Sequence, residues 1–169
     1  MRQLLFYCIL IIVSFSSCEI KVENGTEKVA EANSKIKNGI VVKSNGLKVV
    51  QAFLLFEDGT RVPEGNVVQV NQKVNLRLFV TGWKDIKGKV AISGGETIET
   101  SEGQEFLKTD DLFKEYKEGI DVKDAEYLSF SAVITKLDKL YDYFKVSFYL
   151  KDKNVPGNFI EGYYKLHIN

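Results

Sequence analysis

The chain has 169 residues, and 23 lysines and arginines balance 23 aspartates and glutamates. This neutral charge argues against nucleic acid as a partner, which needs a basic excess on some face, and against polybasic attachment to anionic lipid. With one histidine, His167, and two cysteines, zinc sites built from histidine and cysteine are excluded. The phosphate-binding patterns GxGxxG and GxxxxGKS/T are absent.

The first predicted element is an export signal. Arg2 supplies a positive charge, about ten apolar residues run from Leu4 to Val13, and small residues lead into Cys18. The apolar run is about half as long as a transmembrane helix. A positive start, a short apolar segment and a small-residue boundary predict a secretory signal peptide over residues 1–17.

The boundary of this signal carries the sequence Phe15-Ser16-Ser17-Cys18, which resembles the lipobox of bacterial lipoproteins. The resemblance implies that the Cys18 thiol receives a diacylglyceryl group, that a peptidase cuts before it, and that the new amine is acylated. Phe15 departs from the aliphatic residue usual at its position. Removal of residues 1–17 would take away Cys8 and leave Cys18 as the one thiol. A lone thiol in an exported protein needs an explanation, and lipidation supplies one. The alternative is an ordinary signal peptide followed by an accidental cysteine.

Lipidation would fix the location of the protein. Two or three acyl chains anchor a protein far better than one does. We therefore expect an exported protein held by Cys18 in the bacterial envelope, at the outer membrane, with the inner membrane as the alternative. Residues 18–38, rich in Glu, Lys, Asn and Ala, predict a lipid-anchored flexible linker.

Residues 39–169 are expected to form one all-β domain. Apolar and polar residues alternate in 73–81, in 127–134 and in 141–150, and a nearly continuous apolar run covers 48–57. Two short strands are expected over 89–93 and 96–100, around a turn at Gly94-Gly95. Leu112, Phe113 and Tyr116 share a helical face before Gly119, which predicts one short helix in a crossover loop.

About seven or eight strands with turn signals between them predict an antiparallel β-sandwich of immunoglobulin-like or C2-like type. This resemblance is at the level of the fold class and implies no function. Without a second cysteine in the mature chain, the domain must be held by its core.

The last two strands carry a candidate binding face. Its tyrosines are Tyr141, Tyr143, Tyr149 and Tyr163, with Lys145, Lys165 and His167 among them. Tyrosine buries apolar area while keeping a polar tip, which suits a glycan or a protein partner. The alternatives are that the rings only stabilise the sheet, or that the 102–126 segment covers them. The strand register stays open, because pairing Leu150 with Ile160 would place Lys145 opposite Lys165, which is unfavourable.

Other candidate residues are open to two interpretations each. Trp83 is a sugar-stacking platform or a half-buried cap on the end of the sandwich. Six aspartates could supply oxygen ligands for calcium: Asp110, Asp111, Asp121, Asp124, Asp138 and Asp142. Because they lack the usual calcium-loop spacing, an ordinary solvated loop is the favoured interpretation. No carboxylate pair is singled out for glycoside hydrolysis.

The sequence therefore predicts a non-catalytic envelope lipoprotein that acts as a tethered binding or assembly module. Its expected partners are the membrane, through lipid on Cys18, and an envelope protein or a glycan. The alternative is a carbohydrate- or calcium-binding sandwich for ligand capture. An enzyme is the least favoured reading, and no catalytic residue, metal or cofactor is assigned.

Overall fold

The structure is a computed structural model that describes residues 35–169. The predicted signal peptide, Cys18 and the linker as far as residue 34 lie outside the described residues. Within the described part, no helix is long and apolar enough to cross a membrane.

The described residues form eleven strands and one helix. The strands are β1 Val41–Asn45, β2 Lys48–Phe56, β3 Val67–Val68, β4 Lys73–Thr81, β5 Lys89–Val90, β6 Ile92–Thr100, β7 Glu105–Thr109, β8 Ile120–Asp121, β9 Tyr127–Val133, β10 Phe144–Asp152 and β11 Phe159–Ile168. The helix α1 is Val122–Ala125.

The strands form two main sheets, and the predicted antiparallel β-sandwich is confirmed. The larger sheet has the order β1-β11-β10-β6-β7, with β3 added in parallel to the end of β11. The smaller sheet has the order β2-β4-β9, and β5 and β8 form a separate short pair. The inner faces supply one hydrophobic core. In β4, for example, Val74, Leu76, Leu78 and Val80 are fully buried, which is why this segment alternates in sequence.

The short helix lies later in the chain than predicted. Residues 112–119 form successive turns, and α1 begins at Val122. The Asp111 carboxylate accepts a hydrogen bond from the backbone N–H of Phe113 at 2.9 Å. Such a local bond offers the backbone an alternative to a helix. The apolar pattern of this segment reflects packing of a loop instead, since the Phe113 ring lies 6.5 Å from that of Phe130.

The predicted turn at Gly94-Gly95 is wrong, because both glycines lie inside the continuous strand β6. A Cβ atom on Gly94 would approach Leu150 Cδ2 and Phe113 Cε2 to 2.9 Å. A Cβ atom on Gly95 would come within 2.7 Å of Tyr149 Cε1. The glycines are therefore present to let neighbouring side chains and backbone approach the sheet closely.

The domain begins earlier than the predicted boundary at residue 39. Ile36 forms a parallel bridge with Ala52 of β2, and the Asn38 side chain is buried. Asn38 Nδ2 donates to the Val62 carbonyl at 2.9 Å, and Asn38 Oδ1 accepts from Leu54 N–H at 3.0 Å. Residues 35–38, assigned to the linker from composition, therefore belong to the sandwich.

Candidate functional site

The register between β10 and β11 decides which side chains share the outer face of the larger sheet. Leu150 lies opposite Ile160, and Lys145 lies opposite Lys165. Phe144, Val146, Phe148 and Leu150 point into the core with Ile160, Tyr164 and Leu166. The intervening residues therefore face outward.

The two opposed lysines each have their own partner. Lys145 Nζ lies 3.4 Å from Glu99 Oε2, on the neighbouring strand β6, and 5.5 Å from the centre of the Tyr163 ring. Lys165 Nζ lies 3.9 Å from the centre of the Tyr143 ring. These contacts offset the repulsion that made the register doubtful from sequence.

The same arrangement of ring and ammonium recurs on this surface. Lys151 Nζ lies 5.4 Å from the Tyr149 ring centre, and Lys43 Nζ of β1 lies 5.5 Å from that of Phe159. We call this surface the aromatic–lysine face. Its members are Tyr143, Tyr149, Phe159, Tyr163, Lys43, Lys145, Lys151 and Lys165.

Tyr149 is held in place on this face by its neighbours. Its ring lies over the bare backbone of Gly95, and its hydroxyl donates a hydrogen bond to the Asp110 carbonyl oxygen. The rings of Tyr143, Tyr149, Phe159 and Tyr163 are half-buried. They therefore present partly exposed aromatic surface, and side chains of this kind lose little conformational entropy on binding.

A groove of about 530 Å³ adjoins this face at the β10–β11 hairpin. Lys151, Phe159 and Glu161 line it together with Ser93 and Asn158. Lys151 and Phe159 also belong to the aromatic–lysine face, so the groove and the face form one continuous surface. Lys151, Phe159 and Ser93 lie side by side on three adjacent strands.

Two of the candidate binding residues, Tyr141 and Trp83, lie away from this face. Tyr141 precedes β10, and its ring contacts Phe144 at 5.4 Å at the edge of the core. Its hydroxyl donates to Asp138 Oδ1 at 2.9 Å. Trp83 is half-buried against the core, and its Nε1–H donates to the Ala125 carbonyl at 2.9 Å. The structure thus places Trp83 in the position of a cap on the end of the sandwich.

Three members of the face were missed from sequence. One of them, Lys151, follows Tyr149 by two residues in β10, so the same alternation contains it. Phe159 has the same alternation as Tyr163 within β11, so extending that pattern back by four residues would have found it. Lys43 could not have been found in this way, because it reaches the face only through the pairing of β1 with β11. His167, the single histidine, lies at the edge of the face, with its ring 6.3 Å from that of Tyr143.

The six aspartates considered for calcium do not converge. Asp121 pairs with Lys89 at 3.1 Å, Asp110 with Lys108 at 3.5 Å, and Asp138 accepts from Tyr141. The Asp111 carboxylate accepts from Phe113 N–H, which helps to hold its pKa low. Among residues 35–169, no three acidic, histidine or cysteine side chains are grouped so as to hold a metal ion.

One carboxyl group lies inside the core. Glu96 is only 4 % exposed, and its Oε1 atom has no hydrogen-bond partner. Burial raises the pKa of Glu96 to about 7. The hydroxyl of Tyr164, also buried, is likewise unpartnered, and burial and the nearby Glu96 raise its pKa.

The other buried acidic side chain is Asp152, which accepts hydrogen bonds from the N–H groups of Lys84 and Asn154. In the β6–β10 register, Asp152 is opposite Ile92, four positions from Glu96. Four strand residues span roughly 13 Å. The two buried carboxyl groups therefore do not form the close pair that a retaining glycosidase needs.

The comparison with solved structures agrees with the fold. No protein-family model matches the sequence, and a search of curated proteins finds no match. Among solved structures, the chain is similar to the C-terminal domain of Wzt. The TM-score is 0.51 at 17 % sequence identity, over 80 % of this chain and 81 % of that one. At this identity the likeness concerns the fold alone: the chain is a β-sandwich similar in architecture to the Wzt C-terminal domain.

Proposed function

We propose that the chain is a non-catalytic binding module of the bacterial envelope, tethered by lipid on Cys18, that recognises its partner with the aromatic–lysine face. The observation that carries this proposal is the recurrence of one geometry. Four aromatic rings on one outer surface each have a lysine ammonium 3.9 to 5.5 Å from the ring centre.

Three of these ammonium groups are available to a ligand. Among the described residues, Lys43, Lys151 and Lys165 have no carboxylate within 4 Å, whereas Lys145 pairs with Glu99. An aromatic ring can stack on the apolar face of a sugar, and the adjacent ammonium can bind a carboxylate or phosphate on the same ligand. An extended acidic glycan is the ligand that this combination suits best.

The groove at the β10–β11 hairpin supports the same ligand class. It extends the face beyond Phe159 and offers Asn158, Ser93 and Glu161 as hydrogen-bonding groups. A glycan chain could thus lie along the sheet, with one residue in the groove. A protein partner would use the same rings as binding anchors, and it is the alternative outcome of the experiment below.

The tether is supported by the lipobox and by the position of the domain. Residues 19–34 separate Cys18 from the first described residue, Lys35. A 16-residue linker of the flexible kind that the composition predicts spans roughly 20–24 Å on average. The mass of the protein recovered from envelopes, compared with that of Cys18→Ser, tests the tether: two or three acyl chains should be present only in the wild type.

The ligand class is tested by thermal unfolding with an acidic polysaccharide, polygalacturonate, and a neutral one, dextran. At a hundredfold excess over the dissociation constant, a bound ligand adds about 2.7 kcal/mol to the free energy of unfolding. We expect stabilisation by polygalacturonate and its loss in Tyr143→Ala/Tyr163→Ala. Tyr127→Ala, on the opposite sheet, is the matched control and should keep it.

Stabilisation that survives loss of both tyrosines would contradict the assignment of the face. Absence of any stabilisation, together with a protein crosslinked to this face in native envelopes, would make the module an assembly component instead.

A further inference from the structure

We propose that the outer face of the smaller sheet docks on an anionic lipid surface. This face carries four cationic side chains, Lys35, Lys37, Arg61 and Arg77, and two partly exposed aromatic rings, Phe79 and Tyr127, beside the buried ring of Phe53. We call it the basic face. It belongs to the opposite sheet from the aromatic–lysine face, so the two surfaces can bind different partners.

The first two lysines reach this face through a backbone bridge. Ala52 N–H donates to the Lys35 carbonyl at 3.0 Å, and Lys37 N–H donates to the Ala52 carbonyl at 2.9 Å. Ile36, between them, packs against the core. Because side chains alternate along an extended chain, Lys35 and Lys37 both lie on the outer side and are exposed.

The arginines and rings continue the surface across the sheet. The Arg61 guanidinium lies 4.0 Å from the centre of the Phe53 ring. Phe53 lies 6.1 Å from Phe79, which lies 4.7 Å from Tyr127. Arg77 is opposite Phe53 in the β2–β4 register, and the Tyr127 side chain is 54 % exposed.

The four cations are not neutralised within the domain. Among residues 35–169, no carboxylate lies within 4 Å of Lys35, Lys37, Arg61 or Arg77. Lys73, nearby on β4, is paired with Glu57 at 3.4 Å.

The chain therefore combines overall neutrality with a local basic surface. Lys35, Lys37 and Arg61 line a groove of about 470 Å³ together with Glu64. Glu64 accepts a hydrogen bond from Asn38 N–H at 3.3 Å. The phosphate of a lipid headgroup complements the charge of the three cations around this groove.

The position of the basic face, close in sequence to Cys18, favours lipid over other anions as its partner. Lys35 is the first described residue and lies on this face, and Cys18 is 17 residues earlier. A lipid-anchored Cys18 followed by the predicted flexible linker would keep Lys35 at an average distance of roughly 20–24 Å from the anchor. Basic side chains near an anionic leaflet are attracted to it, and tyrosine is favoured where one end of a side chain is apolar and the other wet. Only this preference for lipid over other anions rests on the proposed tether at Cys18.

The test uses residues 32–169, which contain the whole described core and form a compact unit of their own. This chain lacks Cys18 and the apolar N-terminus, so binding through lipidation cannot contribute. Its sedimentation with phosphatidylcholine vesicles is compared with that in vesicles containing phosphatidylglycerol as well. We expect binding to the anionic vesicles that weakens with added salt.

Matched triple variants locate the binding. Attraction of about 1 kcal/mol per basic side chain corresponds to about fivefold in affinity for each one removed. Lys35→Gln/Lys37→Gln/Arg61→Gln should lower the partition coefficient on anionic vesicles by about a hundredfold. Lys43→Gln/Lys151→Gln/Lys165→Gln, on the aromatic–lysine face, should leave it within about twofold.

Equal binding to neutral and anionic vesicles, or an equal loss in both triple variants, would overturn the inference. Neither result would bear on lipidation of Cys18 or on glycan binding, since the first uses another residue and the second another face. Circular dichroism of each variant checks that it is folded.

Discussion

Tyr149 lies across Gly95, and its hydroxyl donates a hydrogen bond to the Asp110 carbonyl. The pair links β10 to β6 and to the chain just after β7. It fixes one ring of the aromatic–lysine face in a single orientation. The absence of a side chain at position 95 is what allows this ring to lie against the sheet.

Gly95→Ala should therefore destabilise the domain. The new Cβ atom would lie 2.7 Å from Tyr149 Cε1 and 2.8 Å from the Asp110 carbonyl oxygen. Overpacking of this kind costs about 1–3 kcal/mol. Urea unfolding measures the loss, with Ser93→Ala on the same strand as the control. A Gly95→Ala protein as stable as the control would show that Tyr149 is not held as described.

Glu96 should make stability depend on pH. Its folded pKa of about 7 is above the ordinary value of 4.5, so between these values the unfolded chain has lost a proton that the folded chain keeps. The free energy of unfolding therefore falls as pH rises through this window, by roughly 3 kcal/mol in total. Above pH 7 the contribution is constant.

Glu96→Gln removes this titrating group and should flatten the decline. Urea unfolding at pH 5 and pH 8 provides the comparison. Glu105→Gln, on the exposed strand β7, is the matched control and should keep the wild-type difference. If Glu96→Gln and wild type lose stability equally between the two pH values, Glu96 is not the group responsible.

Lys165→Glu should weaken ligand binding while leaving the stability of the domain nearly unchanged. Lys145 lies directly opposite, so the substitution replaces a repulsive pair with an attractive one, worth about 0.5 kcal/mol. Loss of the ammonium above Tyr143 offsets a similar amount. We expect unfolding within about 0.5 kcal/mol of wild type and weaker stabilisation by polygalacturonate. Unchanged stabilisation would remove Lys165 from the binding surface.

Asn38→Gly should destabilise the domain and release residues 35–37 from β2. The Asn38 side chain bonds the Val62 carbonyl, the Leu54 N–H and Asn66 Oδ1. Its φ of +58° suits glycine, so the substitution adds no backbone strain. Leaving the buried partners unsatisfied costs about 2–4 kcal/mol.

Hydrogen exchange at the Lys37 amide, bonded to Ala52, reports the release. Asn45→Gly, an exposed site with one bond to Gly157, is the control. Slow exchange at Lys37 in Asn38→Gly would mean that the buried network does not hold this segment.

The sandwich could be predicted from the sequence because each core strand has one buried face and one face toward solvent. In β4 and β10, buried residues alternate strictly with half-buried or exposed ones, and this period of two is visible in any single sequence. The turn predicted at Gly94-Gly95 was wrong because glycine is common both in turns and inside strands where another group approaches the backbone closely. The loop at 112–119 has apolar residues at helical spacing because Phe113 packs against the core, and the spacing therefore predicted a helix that does not form.

The binding surfaces were only partly predictable, because they combine strands distant in sequence. Tyr143, Tyr149 and Tyr163 follow from alternation in two strands. Their register, however, places Lys145 opposite Lys165, and the Glu99 carboxylate that pairs with Lys145 is supplied by β6. The basic face escaped prediction altogether, since a net charge of zero says nothing of how Lys35, Lys37 and Arg61 are distributed in space.

Site-specific photocrosslinking in native envelopes would show whether the aromatic–lysine face is the surface that contacts the partner. A photoreactive residue at Ser147 lies in the middle of the aromatic–lysine face, opposite Tyr163. One at Ser129 lies on the outer face of the smaller sheet, opposite Arg77. We expect a defined glycan or protein adduct at Ser147 that disappears in Tyr143→Ala/Tyr163→Ala, and none of the same kind at Ser129. The same adduct at both positions, or at Ser129 alone, would contradict this expectation.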